Sequence, residues 1–172
     1  MAANLDELFE AFQVTEKIRI DAPPDAVWEL ITDVRRIVEF SPECVKIQWL
    51  NGATAPEVGA RFAGTSRIGS FEWTRNCTIT ALREPELFAY EVADEADEAA
   101  QSRWSFELTA DGNGTVVTQR FSHVPSGRST VRLIAEGSPA EAEQTVAERA
   151  QMLSNGIRHT LEAMRAVLES KT

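Results

Sequence analysis

Residues 61–92 read RFAGTSRIGSFEWTRNCTITALREPELFAYEV, and apolar and polar side chains alternate along most of this stretch. Such alternation is typical of β-strands that have one buried face and one wet face. The turn sequences Gly69-Ser70 and Glu84-Pro85-Glu86 interrupt the alternation, and connections this short join antiparallel neighbours. The pattern therefore predicts consecutive antiparallel strands at about 61–68, 72–82 and 87–92.

The same alternation extends from this stretch in both directions. It predicts further strands at about 14–21, 45–50, 103–109 and 115–123, with the turn Asp111-Gly112-Asn113-Gly114 between the last two. Seven strands with short links favour one antiparallel sheet.

Helical spacing marks the segments outside these strands. Two short helices are predicted between the first two strands, at about 27–31 and 34–40. Ser138-Pro139-Ala140-Glu141 is typical of a capping box with proline at the first helical position, and the helix that follows is predicted to reach about Glu169. One apolar stripe of this helix is expected to face the sheet: Val146, Ala150, Leu153, Ile157, Leu161, Met164 and Leu168.

The length of 172 residues fits one domain, predicted at 14–170, preceded by an amphipathic extension at 1–13. Leu5, Leu8, Phe9 and Phe12 give this extension an apolar face that packs on its own domain or contacts a partner. Between the last strand and the long helix, residues 126–137 are a candidate lid with a short helix at about 131–135.

Charge and composition exclude several classes of function. The chain has 17 Lys and Arg against 27 Asp and Glu, a formal charge of −10, so nucleic acid is not an expected partner. No apolar stretch approaches the ~20 residues of a membrane span, and the acidic start lacks the features of a signal peptide, so a cytoplasmic location is predicted. The two histidines and two cysteines form no metal-ligand spacing, and neither a metal nor a cofactor is predicted.

The predicted dry face of the sheet contains more than an ordinary core. Polar residues interrupt it at Arg75, Tyr90, Gln119 and His123, and Gly64 removes bulk from it. An apolar cavity with a few convergent polar groups is the usual form of a ligand site. The predicted ligand-binding residues are Phe62, Ser66, Ile68, Trp73, Arg75, Cys77, Phe88, Tyr90, Trp104, Phe106, Gln119, Phe121 and His123 on the sheet, with Leu153 and Ile157 on the long helix.

Three of these residues are candidates for chemistry, each with a structural alternative. His123 can act as acid or base in enolisation, or it can be a strand-end histidine bonded to a loop. Arg75 can orient a carboxylate or stabilise an enolate oxygen, or it can pair with a carboxylate such as Glu16. Tyr90 can donate a hydrogen bond to a ligand carbonyl, or it can serve as an aromatic wall.

Residues spread along nearly the whole chain, from about Val14 to Ser170, are similar to a known family. They include Ile20-Asp21-Ala22-Pro23, Val27-Trp28, Ile31-Thr32-Asp33, Pro56, Val58-Gly59-Ala60-Arg61-Phe62, Gly64, Gly69, Trp73, Cys77, Pro85, Phe88, Tyr90, Trp104, Gly114-Thr115 and Thr160-Leu161. The chain resembles the polyketide cyclase/dehydrase branch of the START-like (SRPBCC) superfamily, which has the helix-grip fold of the birch-pollen allergens.

The resemblance implies an α+β helix-grip fold, in which a curved seven-stranded antiparallel sheet wraps around the long C-terminal helix. It also implies a deep cavity and ligands of the lipid, sterol, polyketide or other hydrophobic class. It transfers no catalytic signature, because the matching residues are mostly structural.

Three hypotheses of function follow. The first is a protein that binds a hydrophobic small molecule. The second is an aromatase, cyclase or dehydrase acting on a polyketide-like substrate. The third is an interaction module that docks through residues 5–12, and a homodimer is compatible with each.

Overall fold

Seven antiparallel strands form one curved sheet in the computed structural model, which describes residues 4–170. Strands β2 to β7 each pair with the next along the chain, and β1 closes the sheet against β7, in the order β1-β7-β6-β5-β4-β3-β2. The predicted antiparallel sheet is therefore confirmed. The strands are β1 (Gln13–Ile20), β2 (Cys44–Trp49), β3 (Arg61–Ile68), β4 (Phe71–Arg83), β5 (Leu87–Asp94), β6 (Ala100–Asp111) and β7 (Gly114–His123).

Five α-helices accompany the sheet in the described part of the chain. The predicted pair between β1 and β2 is present, and a single 3-10 turn at Val34–Arg36 precedes the second of them. Pro24 occupies the first helical position of the first, where its fixed φ suits a helix start. The helices are α1 (Leu5–Glu10), α2 (Pro24–Thr32), α3 (Ile37–Phe40), α4 (Thr130–Gly137) and α5 (Ala142–Glu169).

The long helix α5 packs lengthwise on the sheet, as the helix-grip prediction requires. Its predicted stripe is buried except for Ala150, which is half-buried. The predicted capping box is wrong: Ser138 makes no side-chain cap, and a 3-10 turn at Pro139–Glu141 comes before α5. The reason is that the Glu141 amide donates to the Ser138 backbone carbonyl at 2.9 Å, which forms the 3-10 turn, and not to the Ser138 hydroxyl.

Helix α1 lies against the rest of the chain. The Phe9 side chain is fully buried, and Phe12, just beyond the helix, is nearly so. Arg132 of α4 forms an ion pair with Asp6 at 2.7 Å, and its guanidinium lies 5.1 Å from the Phe9 ring centre. The apolar face of the extension is thus largely used within the chain; its residues 1–3 lie outside the described part.

The outer face of the sheet is polar and carries cross-strand ion pairs. Exposed pairs of this kind each contribute less than ~1 kcal/mol. The pairs are Arg67–Glu72 at 2.7 Å, Arg103–Glu91 at 2.9 Å and Arg120–Glu107 at 3.2 Å. Within residues 4–170, none of the helices combines the length and the apolar character that a bilayer crossing requires.

The interface between the sheet and α5 is filled toward the C-terminal end of the helix, where Leu161 and Leu168 are buried and do not border the cavity. The Asp21 amide donates to the Glu169 carboxylate at 3.0 Å, which brings the end of β1 to this end of α5. We call this region the solid half. Its members are buried side chains on β1, α2, β5, β6, β7 and α5: Ile20, Val27, Phe88, Leu108, Val117, Leu161 and Leu168.

Candidate functional site

The other half of the interface is hollow. A cavity of about 490 Å³ lies between the inner face of the sheet, the face of α5 that runs from Thr145 to Met164, and helix α4. This volume falls within the range of about 300–1,000 Å³ that is usual for small-molecule sites. Rings make up much of its wall: Phe12, Phe40, Phe62, Phe71, Trp73, Tyr90, Trp104, Phe106 and Phe121.

Nearly all of the residues predicted from the sequence line this cavity. The exception is Phe88, which belongs to the solid half; its ring centre lies 5.6 Å from that of Tyr90. Strand alternation gives the face of a side chain but not the point along the strand where the cavity ends. The predicted residues that line it are Phe62, Ser66, Ile68, Trp73, Arg75, Cys77, Tyr90, Trp104, Phe106, Gln119, Phe121, His123, Leu153 and Ile157.

Small residues on β3 keep the cavity open. Gly64 pairs with Arg75 across the β3–β4 ladder, and a Cβ atom at Gly64 would meet nothing within 4 Å. The space above Gly64 is therefore part of the cavity, as the sequence predicted from the missing bulk.

The aromatic walls hold one another in edge-to-face contacts. The ring centres of Phe62 and Tyr90 are 5.4 Å apart, and those of Trp104 and Phe121 are 5.1 Å apart. Phe12, which follows α1, reaches the same cluster at 5.0 Å from Phe121. Such edge-to-face pairs stabilise the aromatic wall of the cavity.

Arg75 is held by four groups. Its guanidinium donates to Gln101 Oε1 at 3.2 Å, the Thr74 carbonyl at 2.9 Å and Thr130 Oγ1 at 3.3 Å. Asp94 Oδ2 lies 3.5 Å away as its ion-pair partner. The side chain therefore ties β4 to β6 and to the first residue of α4.

The suggested partner of Arg75, Glu16, is engaged elsewhere. Ser154 donates to its carboxylate at 2.5 Å, and Arg158 forms an ion pair with it at 3.1 Å. Burial alone raises the pKa of the Glu16 carboxyl, but these hydrogen bonds outweigh it and the pKa is lowered. Glu16 thus fastens β1 to α5.

His123 has a partner on each ring nitrogen. Nδ1 lies 2.6 Å from the Val124 carbonyl, and Nε2 lies 2.6 Å from Ser129 Oγ. A carbonyl only accepts, so in the neutral ring Nδ1 carries the proton and Nε2 accepts from the serine hydroxyl. The same hydroxyl oxygen accepts from the Arg132 amide as the N-cap of α4. The pKa of His123 is lowered, chiefly because burial disfavours the charged ring. The hydrogen bond to Val124 opposes this shift, and the Arg132 charge adds to it.

Two polar side chains of the inner face have no such partners. Gln119 is 6% exposed, and its Oε1 is buried without a hydrogen bond. The contacts of Tyr90 are with neighbouring rings, and its hydroxyl has no partner among the described residues. Burial raises the pKa of Tyr90, so the hydroxyl stays protonated and available as a donor.

The sequence prediction missed the residues that join the cavity to α4. Gln101 and Ser102 are both buried and line the cavity, although they are neighbours on β6. A register shift between Val92 and Ala93 of β5 accompanies this break in alternation. The strand was predicted to begin at about residue 103, so the start of β6 at Ala100 was not predicted.

The two cysteines are free thiols that line the cavity. Burial raises the pKa of both Cys44 and Cys77, so they are protonated near neutral pH and act as small apolar surfaces. No cluster of three or more His, Cys, Asp or Glu side chains within residues 4–170 is arranged to hold a metal.

Comparison with known proteins agrees with this architecture. The family described as polyketide cyclase/dehydrase and lipid transport matches residues 11–169. A Polyketide_cyc-like protein, Cgl2372 of Corynebacterium glutamicum, is 24% identical and superimposes with a TM-score of 0.67 over 93% of each chain. MLL2253 of Mesorhizobium loti is 18% identical, with a TM-score of 0.63 over 93% of this chain and 98% of that one. Ara h 8.0201 is 15% identical, with a TM-score of 0.60 over 92% of this chain and 97% of its own. Among curated proteins, no sequence matches the chain.

Proposed function

Because the chain belongs to the polyketide cyclase/dehydrase and lipid transport family, we propose that it binds a hydrophobic small molecule between the sheet and α5. The observation that carries the proposal is the cavity itself, about 490 Å³ with walls of rings and aliphatic side chains. An interior normally packs without voids of this size, and an unfilled one costs stability. A ligand of matching shape removes that cost.

The groups that border the cavity favour binding over catalysis. Arg75 and His123 are both committed to hydrogen bonds that hold the segment after β7. A general base needs a free nitrogen within reach of the substrate, and neither nitrogen of His123 is free. Arg75 and His123 therefore act as structural anchors at the border of a binding cavity.

The test is native mass spectrometry of the purified protein, followed by denaturation and identification of any released compound. A discrete adduct of hydrophobic character, absent from a variant with a filled cavity, is the expected result. Gly64→Leu is the filling variant, because its side chain would enter open space within the cavity. An adduct that is equally abundant in the Gly64→Leu protein would contradict binding at this place.

The second candidate is a cyclase, aromatase or dehydrase activity on a polyketide-like substrate. One observation favours it: Arg75, Tyr90 and His123 all line the same cavity. Here Tyr90 would donate to a substrate carbonyl, and His123 would exchange a proton after releasing Ser129.

This candidate is tested on the compound that the native mass experiment identifies. Turnover of that compound, abolished by Tyr90→Phe and His123→Gln but retained by the outer-face variant Arg67→Met, would establish the enzyme. Recovery of the compound unchanged after prolonged incubation would leave binding as the function.

A further inference from the structure

The short helix α1 lies between the sheet and helix α4, and α4 in turn covers part of the cavity. Thr130, Val131 and Ile134 of α4 line the cavity wall. The C-terminal end of α1 leads directly into β1, where the His123 amide donates to the Phe12 carbonyl at 2.9 Å. One end of α1 is thereby anchored to the sheet, and the rest of the helix contacts α4.

Helix α4 itself has little apolar packing. Ala135 is fully buried, but Leu133 and Ile134 are 47% and 54% exposed. Its first turn is held by the hydrogen bonds of Thr130 and Ser129 that are described above. A segment with few buried apolar contacts opens at a lower free energy than the core does. Helix α4 is therefore suited to open while the sheet stays folded.

Arg132 of α4 is the residue that α1 holds. Its guanidinium donates to Asp6 Oδ1 at 2.7 Å and lies 5.1 Å from the ring centre of Phe9. The same side chain donates to Glu136 at 3.0 Å and to the Pro125 carbonyl, and it is only 12% exposed. If α4 moved away from the sheet, its contacts with Asp6 and Phe9 would have to break.

Phe9 also supports the second anchor of α4. Its ring is fully buried, and the ring centre lies 4.6 Å from that of His123. His123 in turn lies 2.6 Å from the hydroxyl of Ser129, the N-cap of α4. One side chain of α1 thus contacts both the cation of α4 and the histidine that binds the start of α4.

We propose that α1 is a strap that holds α4 closed as a lid over the cavity, so that exchange of a ligand requires the contacts between the two helices to break. The proposal rests on the proposed binding function and adds a control of access to the same cavity. The region matched by the family begins at residue 11, so α1 (Leu5–Glu10) lies outside it. The strap is therefore argued from the contacts of this chain alone.

A strap outside the cavity changes how fast a ligand enters and leaves but not how tightly it binds. Within residues 4–170, the cavity lining includes Phe12 but no residue of α1. Loosening the strap raises the open fraction of the empty and of the loaded protein by the same factor. The association and dissociation rate constants should therefore rise together, and their ratio, the Kd, should stay within about twofold of the wild-type value.

Asp6→Lys tests the strap, because it replaces the partner of Arg132 with a like charge. Stopped-flow fluorescence with anthracene, an apolar probe, measures the association rate constant. Mixing the loaded protein with excess cyclodextrin, which takes up released probe, measures the dissociation rate constant. Both rate constants should rise by about three- to tenfold. Asp6→Ala, which removes the pair without adding repulsion, should raise both by about two- to threefold.

Glu7→Lys is the matched control. Glu7 lies in the same first turn of α1, and the substitution changes the charge of the chain equally. Its carboxylate accepts from the Asn4 side chain at 3.0 Å and has no contact with Arg132 among the described residues. Neither rate constant should change in this variant.

Hydrogen exchange of the empty protein measures opening of the lid without any ligand. Amides of α4 should exchange about three- to tenfold faster in Asp6→Lys than in the wild-type protein, while α5 stays protected.

The outcomes separate the strap from the function on which it rests. If anthracene does not bind the wild-type protein, cavity binding itself fails, and hydrogen exchange still decides the strap. Rate constants or α4 exchange equal to those of wild type in Asp6→Lys would overturn the strap while binding stands. A changed Kd at an unchanged association rate would also overturn it, because α1 would then shape the cavity. Equal acceleration of exchange in α4 and α5 would do the same, since the variant would then loosen the whole fold.

Discussion

The two halves of the sheet–helix interface are built from the same alternating strands and the same helical stripe, yet one half is filled and the other is hollow. In the solid half, Phe88, Val117 and Leu161 are all buried within one hydrophobic core cluster. In the hollow half, the corresponding space above Gly64 is empty and two polar groups lack partners. The filled half supplies the stability that allows the other half to stay open.

This contrast shows that periodicity and packing are separate properties of a strand. Alternation determines which side chains point inward in both halves. Whether they meet across the interface depends on side-chain size and on what closes the end of the sheet. At the hollow end the closing element is α4, which Arg75 and His123 hold through hydrogen bonds and which buries Ala135 in the core.

The largest expected effect comes from opening the solid half. Phe88→Ala should lower the free energy of unfolding by about 3–5 kcal/mol, because a fully buried ring is deleted and a new void remains. Phe71→Ala is the matched control: this ring is 55% exposed at the cavity border, and its loss should cost about 0.5 kcal/mol. Urea denaturation measures both. Equal losses for the two variants would contradict the division of the interface into a solid and a hollow half.

Filling the hollow half should affect binding and spare stability. Gly64→Leu places a side chain in open space at a residue without a positive φ, so the free energy of unfolding should change by less than about 1 kcal/mol. Affinity for anthracene, a fluorescent apolar probe, should fall by roughly tenfold or more, because the probe and the new side chain compete for volume. Gly137→Leu, also with open space around its Cβ but outside the cavity, is the control for titration and denaturation. Unchanged affinity in the Gly64 variant would place the probe elsewhere.

Removing the Arg75 anchor should loosen the closing element selectively. Arg75→Met deletes the hydrogen bonds to Gln101 and Thr130 and the contact with Asp94, at a cost of about 1–3 kcal/mol. Hydrogen exchange in residues 126–137 should accelerate while α5 stays protected. Arg67→Met, which breaks an exposed pair on the outer face, should leave that segment unchanged. Exchange in 126–137 that matches wild type in the Arg75 variant would show that α4 is held by other contacts.

The smallest expected effect is a dependence of stability on pH that originates at His123. Its pKa in the folded protein lies below the ordinary value of about 6.5, chiefly because burial disfavours the charged ring. The neutral ring's contribution to stability is therefore complete above about pH 6.5, and it is lost as pH falls from there through the folded pKa, since the unfolded chain takes up the proton first.

Thermal melts between pH 7.5 and 5 measure this dependence, with His123→Gln as the comparison. Wild-type melting temperature should fall over that interval more than that of the variant. Glu16, whose pKa is lowered, titrates below the ordinary carboxyl range and contributes to a separate, more acidic loss. Melting temperatures that fall equally with pH in the two proteins would exclude His123 as the source of the pH dependence.

The framework that both halves share could be predicted from the sequence. The strands, their faces and the buried stripe of α5 follow from periods of two and about 3.6 residues, which are local properties of the chain. Fourteen predicted side chains line the cavity, and Gly64 was identified by its missing bulk. Phe88 lies on the predicted inner face of its strand, but at a point along the strand that is beyond the end of the cavity.

The remaining errors concern residues whose roles depend on distant partners. Glu16 was suggested as the partner of Arg75, but Asp94 on the neighbouring strand and Ser154 and Arg158 on α5 decide both pairings. Ser138 has the sequence of a helix start, yet its amide ends α4. Gln101 lies within a bulged register that no alternation reveals.

The sequence by itself determined the antiparallel strands, the long helix and the list of inward side chains, because these depend on the repeat of polarity along each element; the helix-grip arrangement followed from the resemblance to the family. Only the tertiary structure decided where the interface is filled, which polar groups find partners and which do not. Those outcomes depend on distances between elements far apart in the chain, where a difference of one side chain or one register step separates a closed core from a cavity.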